Sequence, residues 1–126
     1  MSHSPLDVKA LATIAILMNR RETWSVITYG DLAERLGHVP QGLSAILDRV
    51  GAWCRSIGKQ SLPMLVIDEE GRPRQGMFVG DSNTVTPENY DQRRVRFWRE
   101  NWDGARLPTL EEIAAAYAAE QSQSKT

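Results

Sequence analysis

Apolar residues recur at steps of three and four along the first half of the chain, a spacing typical of helices with one buried face. The first such stretch begins at Ser4 and Pro5, a capping serine followed by a residue that suits the first helical turn. It ends near Asn19. The pattern predicts a core helix whose buried positions are Leu6, Ala10, Leu11, Ile14, Leu17 and Met18.

Two more helices are predicted next. Thr28, with Asp31 three residues later, has the spacing of a capped helix start, and Gly37 ends this second helix. The third helix, from Pro40 to Ile57, has the clearest periodicity, with a buried stripe formed by Leu43, Ile46, Leu47, Val50, Cys54 and Ile57. We expect its opposite face to stay uncovered, with the polar residues Gln41, Ser44, Asp48, Arg49 and Arg55.

Short β-branched and apolar runs predict strands around these helices. Trp24–Ile27 fits a brief strand before the second helix, and Met64–Ile67 is apolar enough for a strand buried on both faces. Asp68–Pro73 has the composition of a turn, and Gln75–Val79 can return as the partner strand. The predicted result is a helix-turn-helix followed by a β-hairpin wing.

Two further helices are predicted in the last third of the chain. One begins at Thr86 and ends near Trp102, and the other begins at Pro108 and Thr109, with Glu112 as a capping partner, and continues through Tyr117. No repeat or linker separates these parts. We therefore expect an α/β (α+β) fold, a winged-helix-like core with a hairpin wing and two additional C-terminal helices, as one domain over residues 1–120 with a disordered tail at 121–126.

Composition narrows the functional classes. The 126 residues include 15 Lys+Arg and 16 Asp+Glu, a formal net charge of −1, which argues against a strongly basic protein that coats nucleic acid. Cys54 is the single cysteine, so no internal disulfide can form. Met1–Asp7 lacks a secretion signal and Ala10–Met18 is too short to span a bilayer, so a cytoplasmic protein without membrane contact is expected.

Residues that carry chemistry are few. His3 and His38 are too scattered for a metal site, and no glycine-rich phosphate loop is present, so neither a metal nor a cofactor is predicted. Cys54 lies on the apolar stripe of the third helix, where burial disfavours a thiolate, and an inert thiol is expected. An enzyme with an unrecognised nucleophile stays open as the weakest hypothesis.

The segment Thr28–Gly37, with the sequence TYGDLAERLG, resembles the start of the DNA-binding domain of alkylguanine DNA alkyltransferases and alkyltransferase-like proteins. In that family a similar Thr-Tyr-Gly-Glu-Ile-Ala segment opens a helix-turn-helix whose following helix enters the minor groove. Leu62–Val66 is similar to the family's extended Pro-Ile-Ile-Val segment. The resemblance covers Val26 to about Phe78 and implies a DNA-docking architecture.

The chain departs from that family at its chemistry. Ile67–Asp68 stands where the family has its alkyl-accepting Pro-Cys, and no Cys-His pair occurs anywhere in the sequence. Gln41–Leu43 stands where the family has its arginine finger. Alkyl transfer is therefore not expected, and the protein is predicted to be non-enzymatic.

The leading functional hypothesis is a winged-helix module that binds nucleic acid, DNA in particular. Arginine, glutamine and serine on a helix can contact bases and phosphates, and Tyr29 could contact a phosphate at a helix N-terminus or simply pack beneath the first turn. Asp48 and the acidic side of the predicted wing would oppose phosphate. The candidate contacts are Tyr29, Gln41, Ser44, Arg49, Arg55, Arg72 and Arg74.

A protein-interaction module, acting as a regulator or inhibitor of a partner protein, is the alternative. The fourth predicted helix carries Arg94, Trp98 and Trp102, in which the arginine can stack on an aromatic ring. The near-neutral charge and the acidic loop favour this alternative. The order of the helices and the Tyr29-Gly30 segment favour nucleic acid, and the sequence leaves both hypotheses open.

Overall fold

The computed structural model describes residues 4–23, 25–59, 62–68, 90–102 and 105–124. Within these residues the chain is mostly helical, with one small sheet of two parallel strands, so the fold is of a mixed α/β class. The helices are α1 (Pro5–Glu22), α2 (Tyr29–Leu36), α3 (Leu43–Ser56), α4 (Tyr90–Arg99) and α5 (Leu110–Ser124), and the strands are β1 (Ile27–Thr28) and β2 (Val66–Ile67).

Side-chain caps fix the starts of three helices, as their sequences predict. The Ser4 hydroxyl accepts a hydrogen bond from the Leu6 amide at 3.2 Å, and the Thr28 hydroxyl accepts one from the Asp31 amide at 3.1 Å. At α5 the Thr109 hydroxyl accepts from the Glu112 amide, while the Glu112 carboxylate accepts from the Thr109 amide. Each cap satisfies backbone donors that the helix itself leaves open.

One helix ends where the sequence predicts, and two continue further. Gly37 ends α2 in the left-handed conformation as expected, with φ of 62°. Helix α1, however, continues past Asn19 to Glu22, and Arg21 in its last turn lies over the rings of Phe97 and Trp102. Helix α5 continues through Ser124, so the segment expected to fray after Glu120 is helical to that point.

The strands are shorter than predicted and pair in parallel. Ile27 lies opposite Val66, and Thr28 lies opposite Ile67. The prediction of a strand over Met64–Ile67 is wrong for its first half, because Leu62–Leu65 form a 3₁₀ helix. The partner strand β1 has only two residues, because α2 begins directly after it. Only Val66 and Ile67 therefore have an extended segment with which to pair. The predicted return strand, Gln75–Val79, lies outside the described residues.

Helix α3 lies at the centre of the fold, with α1 and α5 packed against it. The core contains the predicted stripe of α3 except Ile57, which is 41 % exposed, together with the 3₁₀ helix and side chains from α1, α2, α4 and α5. Pro40–Gly42 form a short 3₁₀ turn before α3, which therefore begins three residues later than predicted. A central helix of this kind has neighbours on more than one side, and this arrangement determines what its polar face can do.

Candidate nucleic-acid interface

The start of α3 is open to solvent. Gln41, in the 3₁₀ turn, and Ser44, in the first turn of α3, are both exposed, as the sequence predicts. Asp48 is exposed one turn further along the same face. We call residues 41–48 the open end of α3. Helix α2, which contacts the 3₁₀ turn, carries the exposed residues Asp31, Glu34 and Arg35.

A lysine–histidine contact fixes the turn that leads to the open end. The Lys9 ammonium lies 2.9 Å from Nδ1 of His38, and because an ammonium group can only donate, Nδ1 is the acceptor when this contact is a hydrogen bond. The His38 ring lies over Gly42, where an added Cβ atom would stand 2.5 Å from Nε2. A side chain at position 42 would therefore displace the His38 ring, and the contact with His38 keeps the Lys9 cation beside the turn.

Arg49 is engaged within the chain. Its Nε donates to the Asp7 carboxylate at 3.0 Å and its Nη1 donates to the Ala45 carbonyl at 2.8 Å. Its guanidinium also lies 4.1 Å from the ring centroid of Tyr117, a stacking contact with α5. The side chains of Arg49 and Asp7 are 14 % and 11 % exposed. Arg49 therefore links α1, α3 and α5 and is largely removed from solvent.

Arg55 is also held by α5. Its Nε and Nη2 donate to the two oxygens of the Glu120 carboxylate at 2.6 and 2.7 Å, a bidentate ion pair. The guanidinium lies against Gly51, where an added Cβ atom would stand 3.1 Å from Nη1. The expectation that the polar face of α3 is uncovered is therefore wrong at Arg49 and Arg55, because α5 packs along that side. We call residues 49–56 the covered half of α3.

Asp48 stands at the boundary between the two parts of α3. Burial raises the pKa of its carboxyl, and the positive charges of Arg55 and Arg49 oppose that shift, while the negative charge of Glu120 adds to it. Two carboxylates therefore lie near the Arg55 guanidinium. The charge of this region is close to balanced, which weakens its attraction for a polyanion.

Of the three other predicted contacts, one is buried and two lie outside the described residues. Tyr29 is 4 % exposed and lies in the core, which matches the packing role considered for it rather than contact with a phosphate at the surface. Arg72 and Arg74 lie outside the described residues. The predicted contacts that the structure leaves exposed side by side are thus Gln41 and Ser44.

The residues of the alternative hypothesis divide in the same way. Trp102 is 8 % exposed, packs against Trp53 and Phe97, and donates from its indole nitrogen to the Glu100 carboxylate at 3.0 Å. Trp98 is half-buried, with its ring edge-to-face against Phe97 at 5.5 Å. The side chain of Arg94 lies outside the described residues. Trp102 is a core residue, so Trp98 is the aromatic residue of this set that retains solvent contact.

Cys54 lies in the core, fully buried, as its position on the apolar stripe predicts. Its Sγ accepts a hydrogen bond from the Leu62 amide at 3.5 Å, and burial raises the pKa of the thiol to about 12. No group of three or more His, Cys, Asp or Glu residues that could hold a metal ion occurs in the described part of the chain. None of the helices described combines the length and apolarity needed to cross a membrane.

Sequence reasoning missed the partners that engage the covered half. From the sequence alone, neither Asp7 nor Glu120 is predicted to pair with a residue of α3. Asp7 and Arg49 are 42 positions apart in the chain, and Arg55 and Glu120 are 65 apart. No local spacing signals such pairs. Comparison of the chain with protein-family models, with curated proteins and with solved structures found no match.

Proposed function

We propose that this chain is a non-enzymatic winged-helix module that binds nucleic acid, duplex DNA in particular, through the open end of α3. The observation that carries the proposal is the joint exposure of Gln41, in the turn that leads from α2 into α3, and Ser44, in the first turn of α3. In helix-turn-helix proteins the N-terminal residues of the second helix contact base edges. Amide and hydroxyl side chains supply the donors and acceptors for such contacts.

The charges around the open end limit how strongly it can bind a polyanion. Gly42 is the N-cap of α3 and provides no side-chain hydrogen bond, and the positive end of a helix dipole favours anions. Lys9 is half-buried at the adjacent turn and Arg35 is exposed on α2. These groups favour an anion, while Asp31, Glu34 and Asp48 oppose one. The expected interaction is weak, with a dissociation constant of about 10 µM or higher at physiological salt.

The resemblance to the alkyltransferase DNA-binding domain points in the same direction and stays a prediction. Its similar segment, Thr28–Gly37, forms the cap, helix and left-handed glycine that begin the two-helix corner. The absence of a Pro-Cys or Cys-His sequence is the reason to propose binding without alkyl transfer.

The test is a titration of the chain with duplex DNA, single-stranded DNA and RNA at two salt concentrations. The logarithm of the affinity for the duplex should fall with the logarithm of salt concentration, with a slope of about −0.9 per phosphate contact. Ser44→Glu should weaken duplex binding by about tenfold, because it places a carboxylate at the proposed contact. The same change favours the helix N-terminus, so loss of the fold does not explain a loss of binding.

Ala15→Glu is the matched control. Ala15 is exposed on α1, so this variant makes the same change in net charge away from the open end. It should bind with nearly the wild-type affinity. Equal weakening by the two variants would mean that net charge, rather than the open end of α3, governs binding.

A second candidate function is docking of a partner protein on α4. It is favoured by Val95, which is 46 % exposed and stands three residues before the half-buried Trp98 on the same side of the helix. A partner of this kind would bind without the steep salt dependence of a phosphate contact. Trp98→Ala would weaken that interaction and leave any affinity for DNA unchanged.

A further inference from the structure

Helix α5 has two parts with different attachments. Its first half is anchored in the core by Ile113, which is fully buried, and by Ala116, which is 9 % exposed. Two side chains of its second half reach α3, namely Tyr117, stacked on Arg49, and Glu120, paired with Arg55. The other residues near them are exposed, namely Ala118, Ala119, Gln121 and Ser122. Tyr117 and Glu120 are thus the side chains of the second half whose contacts with α3 are described.

Arg55 lies on the same line of α3 as the proposed contact Ser44. The positions 44, 48, 51 and 55 follow one another at steps of four, three and four, and so share one side of the helix. At a rise of 1.5 Å per residue, Ser44 and Arg55 are about 16 Å apart along the axis. Gly51, which lacks a side chain, leaves room for the Arg55 guanidinium to lie back along the helix toward the open end.

The Glu120 carboxylate binds the Arg55 guanidinium in the same bidentate geometry that a phosphate would adopt. Two parallel N–H donors meet two oxygens, and arginine binds carboxylate and phosphate through the same planar fork. The pair lies at the edge of the protein, with 24 % of the arginine side chain and 33 % of the glutamate side chain exposed. A phosphate can therefore approach Arg55 from solvent and replace the carboxylate.

We propose that Arg55 is a masked phosphate contact of the same interface, and that Glu120 at the end of α5 occupies it in the free protein as an internal competitor. This inference rests on the proposed function, because it assigns an additional contact and its control to the open end of α3. Two oxygens of a phosphate replace the Glu120 carboxylate at Arg55, while the buried residues Ile113 and Ala116 keep α5 in place. Binding at α3 is thereby reduced in the resting chain and increases whenever Glu120 leaves Arg55.

The test compares duplex DNA binding by the full chain and by Glu120→Gln at two salt concentrations. The amide of glutamine is uncharged and holds an arginine less strongly than a carboxylate does. The variant should bind the duplex about three- to tenfold more tightly, and its salt slope should be steeper by about 0.9, the value for one additional phosphate contact. The double variant Arg55→Gln/Glu120→Gln should lose this gain and return to the wild-type slope.

Glu22→Gln is the control for net charge, because Glu22 is exposed at the end of α1. Circular dichroism on each variant shows whether the total helix content is unchanged. If Glu120→Gln binds no more tightly than Glu22→Gln while the wild type binds DNA, the masked contact is wrong and the proposed function stands. If neither the wild type nor Glu120→Gln binds any nucleic acid at the lower salt concentration, both proposals are wrong.

Discussion

The two ends of α3 carry similar polar residues on their outer side but meet different surroundings. At the open end, Gln41 and Ser44 face solvent next to a turn held by Lys9 and His38. In the covered half, Arg49 and Arg55 are engaged by groups from α1 and α5. Both ends belong to one continuous helix. The difference therefore comes from the elements that pack beside the helix rather than from its own sequence.

This comparison separates the residues that are available to bind a ligand from those that stabilise the fold. A polar side chain in solvent can exchange water for a ligand at little cost, whereas an arginine in a largely buried ion pair must first leave a charge behind without a partner. Arg49 belongs to the fold on this criterion. Arg55 is intermediate, because its ion pair remains partly exposed. The polar side chains of the open end are thus more available to a ligand than those of the covered half.

The largest expected effect is on stability, at Arg49. Arg49→Ala removes the partner of the Asp7 carboxylate, which is 11 % exposed, and also the stacking contact with Tyr117. We expect the free energy of unfolding to fall by about 3 kcal/mol, because breaking one side of a buried ion pair leaves an uncompensated charge. Urea denaturation measures the change.

Arg35→Ala is the matched control for that experiment. Arg35 is exposed on α2, and exposed substitutions of this kind change stability by less than about 0.5 kcal/mol. If Arg49→Ala were as harmless as Arg35→Ala, the ion pair with Asp7 would not hold the covered half in solution, and the contrast between the two ends would disappear.

The smallest expected effect concerns the boundary residue Asp48. Burial raises the pKa of Asp48 above its ordinary value of 3.8, so the folded chain binds this proton more tightly than the unfolded chain does. Stability therefore falls as pH rises from about the unfolded pKa through the folded pKa, and the loss persists at neutral pH. Asp48→Asn should be more stable than the wild type at pH 7 by less than about 1 kcal/mol, because the carboxyl is only partly desolvated and keeps contact with solvent, which screens its charge.

The advantage of Asp48→Asn should vanish when the pH lies below the unfolded pKa, where Asp48 is protonated in both states. Thermal unfolding as a function of pH measures this trend. Asp31→Asn removes the same charge at the N-terminal turn of α2, where a carboxylate is favourable, and should lower stability slightly at pH 7. A wild type more stable than Asp48→Asn at pH 7 would contradict the inferred cost of ionising Asp48.

The local features of the fold could be predicted from the sequence. Thr28, Gly37 and the Thr109–Glu112 pair act through hydrogen bonds and backbone angles within a few residues, and each forms as predicted. The buried stripe of α3 follows from spacing in the same way, except at its last position, Ile57, which is 41 % exposed beyond the end of the helix. These predictions succeed because the interactions that decide them lie within one or two helical turns.

The partners of the polar face could not be predicted in this way. Helical spacing indicates that Arg49 and Arg55 lie away from the apolar stripe, but α5, far along the chain, is what covers them. The strands show the same limit, since Val66 pairs with Ile27 in parallel and the intervening α2 and α3 bring the two segments together. Long-range pairings depend on the packing of the whole chain, which a local pattern does not encode.

The most direct test of the division of α3 is nuclear magnetic resonance on the ¹⁵N-labelled chain during titration with a short DNA duplex. We predict that amide signals of residues 41–48 shift first, followed by smaller shifts at the Arg55 side chain and near Glu120, with Val95 and Trp98 unaffected. Shifts concentrated on α4, or shifts on α3 without any at Gln41 and Ser44, would contradict the proposal that the open end is the binding surface.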